Sequence, residues 1–90
     1  MRRALEAPGL VLGHRVWVSK IVVGGTAHRG RVAGLDPVEV RLDRVRYADT
    51  FRAGDLVRAA HPGREAVAAM VVSAAHGTLV MMLLTTEAER

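Results

Sequence analysis

The chain has 90 residues, half of them hydrophobic, with one Trp, one Tyr and one Phe and a formal charge of +4. A chain this short is one domain that buries roughly 60–65% of its unfolded surface and has no room for an internal active-site chamber. Its 24% charged and 50% hydrophobic residues argue against wholesale disorder, and with no cysteine there is neither a disulfide staple nor a thiolate site.

Residues 1–9 read as a tail ending in the breaker Pro8-Gly9. Residues 10–23 are rich in β-branched side chains around Trp17 and read as a strand apolar on both alternate positions. Gly24-Gly25-Thr26 signals a turn, residues 31–35 a short strand, and Asp36-Pro37 its end. Val38, Val40 and Leu42 then alternate with Glu39, Arg41 and Asp43, the period-two pattern of a half-buried strand. Val45 and Tyr47 continue that alternation out of step, which calls for a bulge or tight turn near Asp43-Arg44. Gly54-Asp55 leads into a strand over 56–60, and His61-Pro62-Gly63 turns it. Residues 65–73 and 78–85 read as a closing hairpin around Ala74-Ala75-His76-Gly77. A short helix within 64–76 is the rival reading, because Ala favours helices while Val67, Val71 and Val72 oppose one.

The sum is an all-β protein, a small five- to six-stranded antiparallel barrel of OB type. It is expected to occupy residues 10–86, with tails at 1–9 and 87–90. Residues 66–86 carry no Asp, Glu, Lys or Arg and are long enough to span a bilayer, but His76-Gly77 interrupts them, so no membrane contact is expected. Met1-Arg2-Arg3 resembles the start of a signal peptide, but Glu6 and Pro8 break the apolar stretch that must follow. A cytoplasmic location is the resulting expectation.

The four histidines are scattered, and none has a zinc-ligand neighbour at a metal spacing. Ser19 and Ser73 lie in expected strands rather than in a glycine elbow, and no Walker glycine loop or dinucleotide fingerprint occurs. The expectation is therefore no enzyme, no metal and no cofactor. Carboxylates alternating with Arg in the middle of the chain read as solvated ion pairs.

What remains is an anion-binding constellation. Lys20 is the sole Lys against twelve Arg, and Arg makes the bidentate contacts that suit phosphate. Residues 1–34 carry Arg2, Arg3, Arg15, Lys20, Arg29 and Arg31 against Glu6 alone, whereas residues 35–60 balance five Arg with five acids. The segment Gly24-Gly25-Thr26-Ala27-His28-Arg29-Gly30-Arg31 reads as a glycine-rich loop presenting two guanidinium groups to phosphate. Arg15, Trp17 and Lys20 on the preceding strand extend it, with Trp17 offered for base stacking. The nucleic-acid-binding candidates are thus Arg15, Trp17, Lys20, His28, Arg29 and Arg31, with RNA as the partner. The consecutive Val80, Met81, Met82, Leu83 and Leu84 make both faces of one strand apolar, so self-association or a protein partner is expected there.

From Asp43-Arg44-Val45 through Phe51-Arg52-Ala53-Gly54-Asp55-Leu56-Val57-Arg58-Ala59 the chain resembles the OB-fold RNA-binding domain of RNA exosome cap subunits. Arg29-Gly30 ahead of this stretch and Leu83-Leu84-Thr85-Thr86-Glu87-Ala88-Glu89 after it fall in the same order. The likeness spans residues 13–89, with His61 to Val67 reading as an insertion. It implies RNA contact within a large assembly, without catalysis. Gly30-Arg31-Val32, Gly54-Asp55 and the strand from Val67 to Val72 are similar to the PilZ domain, although no two Arg lie four apart as its nucleotide motif requires. That likeness implies a degenerate PilZ-like adaptor that binds protein. Val16-Trp17-Val18-Ser19-Lys20 is similar to the pentameric shell proteins of bacterial microcompartments, which would make the barrel an oligomer-forming structural subunit.

Overall fold

In the computed structural model, which describes residues 6–7 and 9–84, alternation of small and β-branched residues builds a closed barrel. Strands β1 (Glu6–Ala7) and β2 (Leu10–Val11) form a two-residue hairpin beside it. The barrel strands are β3 (Arg15–Lys20), β4 (His28–Leu35), β5 (Val38–Leu42), β6 (Leu56–Ala60), β7 (Val67–Ala75) and β8 (Thr78–Leu83). They close in the order β3-β4-β5-β8-β7-β6, and β6 returns to β3. Every neighbouring pair is antiparallel. This is the expected small all-β barrel, compatible with an OB-like fold, with six strands.

Val16, Val18, Val32, Val38, Val40, Leu42, Val57, Ala59, Ala69, Val71, Leu79 and Met81 point inward and fill the lumen. Leu10 packs into this core from β2, and Phe51 and Ala48 join it from the crossover before β6. Phe51 is the one aromatic residue in the core, and Tyr47 packs against it half-buried.

Several local expectations are corrected. The phase slip after Asp43 is not a bulge in a continuing strand: Val45–Thr50 is a 3-10 helix. The Asp43 amide donates to the Arg29 carbonyl at 2.8 Å, and beyond it the chain must cross the end of the barrel to reach β6 on the far side of β3. The run 10–23 is not one strand. Gly13, with φ +84°, turns the chain between β2 and β3, and residues 21–27 form an exposed loop. The glycine-rich segment is a loop only as far as Ala27, because β4 begins at His28. No helix forms within 64–76, since the backbone of β7 pairs with β6 on one side and β8 on the other. The turn of the last hairpin is His76-Gly77 alone, and both residues have positive φ as a type I′ turn requires.

The charge-free stretch 66–86 largely forms the β7–β8 hairpin, and among the described residues no helix is long and apolar enough to cross a membrane. Of the expected 1–9 tail, Glu6–Ala7 instead form β1, paired with β2, while residues 1–5 with Arg2 and Arg3, the expected tail at 87–90 and the Thr85 to Glu89 strand end lie outside the described residues.

Candidate nucleic-acid interface

The basic residues of three strands meet on one outer wall. On β3 the inward positions are Val16 and Val18, so Arg15 and Trp17 face out. On β4, Gly30 and Val32 are buried and Arg29 and Arg31 face out. On β5, Arg41 faces out between Val40 and Leu42. Strand register then aligns them, with Arg41 opposite Arg31 and Arg31 opposite Arg15. Three guanidinium-bearing positions thus form a straight row across three adjacent strands, spanning about 10 Å at the usual strand spacing. Like charges directly opposite one another destabilise a sheet, so this row runs against stability.

A second row lies beside it. Trp17 pairs with Arg29, whose guanidinium carbon sits 5.6 Å from the indole centroid. Arg29 also faces Asp43, Nε to Oδ2 at 3.6 Å. Both partners of that ion pair are about half exposed, so it contributes little to stability. Trp17 is 38% exposed, leaving ring surface in contact with solvent. The other carboxylate on this wall is the half-buried Glu39, two residues from Arg41.

The Arg row ends at a concave site. Gly13, His14, Arg15, Arg31, His61, Pro62 and Arg64 line a cavity of about 360 Å³. Three of these residues are Arg, and among the described residues no carboxylate lines it. Its frame is rigid. The Val11 amide donates to Nε2 of buried His61 at 2.8 Å, so that nitrogen is the acceptor and the ring proton sits on Nδ1. Nδ1–H in turn donates to the Arg15 carbonyl at 2.6 Å. His61 therefore ties β2 to β3 across the Leu12-Gly13-His14 turn, and Arg31 Nη1 donates to the Gly13 carbonyl at 3.2 Å. The His14 ring meets His61 edge-on at 5.6 Å.

Arg15, Trp17, Arg29 and Arg31 are thus brought together as the sequence implied. Lys20 and His28 are not. The Lys20 side chain is at the opposite end of the barrel, 3.4 Å from Asp55 and 5.9 Å from the Phe51 ring centre. It follows inward-facing Val18 by two residues and so cannot share the face of Arg15 and Trp17. His28 is opposite Val18 and packs on Tyr47 and Phe51, with ring centres 4.8 and 5.5 Å away. At this end the backbone amide of Arg52, donating at 2.8 Å, and then Lys20 hold the Asp55 carboxyl below the usual carboxylate range. Gly30 is also reassigned. It is buried, and it admits the β5 backbone rather than a ligand.

Sequence reasoning missed Arg41, His14, Gly13, His61 and Arg64. Period two marks Arg41 as outward, but nothing local shows that Arg31 lies beside it.

On the opposite side of the ring, the expected interface strand is divided by its own pleat. Met81 is buried in the lumen and Leu83 packs against the core, so neither is available to a partner. Val80 and Met82 face outward, and Leu84 continues the ladder through its amide to the Ala68 carbonyl. Register extends the outward surface: Leu56 opposes Met70, Met70 opposes Met82, and the Ile21 amide donates to the Leu56 carbonyl. Ile21, Leu56, Met70 and Met82 therefore make an apolar row, with Val72, Val80 and Leu84 beside it. Leu56, Val72 and Met82 are each about half exposed, at 49%, 50% and 50%.

Comparison with protein-family models, with curated proteins and with solved structures finds no match for this chain.

Proposed function

We propose that the protein is a non-catalytic RNA-binding module that holds the phosphate backbone of a single strand on the outer wall of β3, β4 and β5. The observation that carries this reading is the in-register row Arg41–Arg31–Arg15. A row of like charges opposes folding, and such local conflicts in a protein cluster at functional sites. Planar guanidinium groups supply the bidentate geometry that phosphate takes. Trp17, beside the row, adds one stacking surface for a base. The resemblance to exosome cap subunits supports the same class of ligand.

Labelled single-stranded RNA titrated at several salt concentrations is expected to give a log–log slope of about −2 to −3, three or four phosphates at about −0.7 each. The double substitution Arg31→Ala and Arg41→Ala is expected to flatten that slope by about 1.4. Arg46→Ala, on the 3-10 helix, is expected to leave it unchanged. No binding at low salt, or an unaltered slope in the double variant, overturns the reading.

A second reading is favoured by the apolar row Ile21–Leu56–Met70–Met82. In it the barrel is a protein-interaction or oligomer-forming subunit, as the PilZ-like and shell-protein resemblances suggest. Monomers rarely expose a contiguous apolar patch of more than a few hundred Å². Light scattering is expected to give a mass above that of one chain. Met82→Glu is expected to restore the monomer while keeping the fold, because Met82 is outside the lumen. A wild-type protein that is monomeric at high concentration counts against self-association.

A further inference from the structure

The cavity at the end of the Arg row is chemically different from the row itself. The row is an open wall on which each strand offers one guanidinium. The cavity is concave, bounded by the Leu12-Gly13-His14 turn on one side and the His61 to Arg64 turn on the other. Arg15 and Arg31 belong to both. Arg64 and His14 belong to the cavity alone, so a group seated there meets cationic and polar side chains from several directions. The two turns are held before any ligand arrives, one through His61 and one through the Arg64 amide, which donates to the His61 carbonyl at 3.0 Å. An open concavity framed by two hydrogen-bonded turns and lined by three Arg favours a compact anion of high charge over a chain passing through.

Resting on the RNA reading above, we infer that this cavity binds a phosphate monoester, the terminal phosphate of a strand whose internal phosphates lie along the Arg row. An internal phosphodiester carries one charge and two substituents. A terminal monoester carries close to two charges near neutral pH and offers three free oxygens to donors. Three Arg with no carboxylate among the cavity's walls match the second group. The geometry also sets polarity along the sheet: the end of the strand is at β3 and the β6–β7 turn, and its body crosses β4 toward β5.

The test compares oligonucleotides of one sequence ending in a 5′-phosphate, a 3′-phosphate or hydroxyls only, at fixed salt, by fluorescence anisotropy. One phosphate-ended species is expected to bind at least about tenfold tighter than the hydroxyl-ended one, the worth of a charge-assisted hydrogen bond. The 5′ and 3′ arms identify which end supplies the group. Arg64→Ala is expected to bring the affinity ratio of phosphate-ended to hydroxyl-ended RNA close to one. Equal affinities in the wild type overturn this inference while the RNA reading stands, as does an Arg64→Ala protein that keeps the full ratio. If no oligonucleotide binds, the RNA reading fails, and titration with adenosine monophosphate decides the cavity separately. Saturable shifts of the Gly13 and Arg64 amide signals would then support a phosphate monoester site, and their absence would overturn it.

Discussion

Replacing His61 with Leu is expected to destabilise the fold by about 2–6 kcal/mol, because two backbone groups lose their partners at about 1–3 kcal/mol each. The Val11 amide and the Arg15 carbonyl both end on this imidazole, at 2.8 and 2.6 Å. His61 is 5% exposed, so water does not readily replace the ring. Leu approximates its bulk and adds apolar contact, which isolates the loss of hydrogen bonding from the loss of packing. In a domain of this size the melting temperature is expected to fall by at least roughly 10 °C. Amide exchange at Val11 should accelerate more than exchange in β7, since β2 is the element released. His14→Ala removes an exposed ring from the same cavity and is expected to stay within about 0.5 kcal/mol of the parent. A His61→Leu protein that melts within two or three degrees of wild type (an allowance of about 0.5 kcal/mol) would show that the clamp is dispensable.

Gly30→Ala is the second large effect expected. A Cβ at Gly30 would stand 2.5 Å from the Arg41 carbonyl oxygen and 3.0 Å from the Leu42 Cα, both of them backbone of β5. No rotamer change relieves that contact, so β4 and β5 must move apart. Overpacking of this kind costs about 1–3 kcal/mol, and the melting temperature should fall by roughly 5–20 °C. The same displacement separates Arg31 from Arg41 and, on the function proposed above, should reduce RNA affinity. Gly34→Ala on the same strand is the control, since its nearest new contact is at an ordinary 3.4 Å and no positive φ is involved. It is expected to be neutral or slightly stabilising, through loss of freedom in the unfolded chain. Equal melting temperatures for the two variants would refute the close approach of β4 and β5 as a determinant of stability.

Much of the barrel was legible in the sequence. The alternation from Val38 to Leu42 is the β5 burial pattern, and the β-branched residues opposing a helix at 64–76 belong to β7. Turn chemistry located the Asp36-Pro37 and His76-Gly77 corners, both of which are hairpin turns. The failures fall where the chain leaves the ladder. Val45 and Tyr47 alternate as a strand would, yet no neighbouring strand is there to pair with, and a 3-10 helix forms instead. Lys20 and His28 lie close in sequence to the Arg residues, yet their positions in the pleat send them to the other end of the barrel.

The candidate site was legible as an inventory and not as an arrangement. An Arg-dominated excess in residues 1–34 and an apolar excess in residues 66–84 are properties of composition and order alone. That Arg15, Arg29 and Arg31 stand across the barrel from the β7–β8 hairpin follows from ring closure, which sets β4 across from β7. The Arg row depends on a register in which Arg41, Arg31 and Arg15 come level, and a slip of one residue would turn alternate members inward. His61 is 50 and 46 residues from the two groups it joins. Local pattern determined which residues face out and which face in, because pleat and burial act over a few neighbours. Only the closed barrel decided which outward residues stand together, because pairing across strands is a long-range choice made by the whole core.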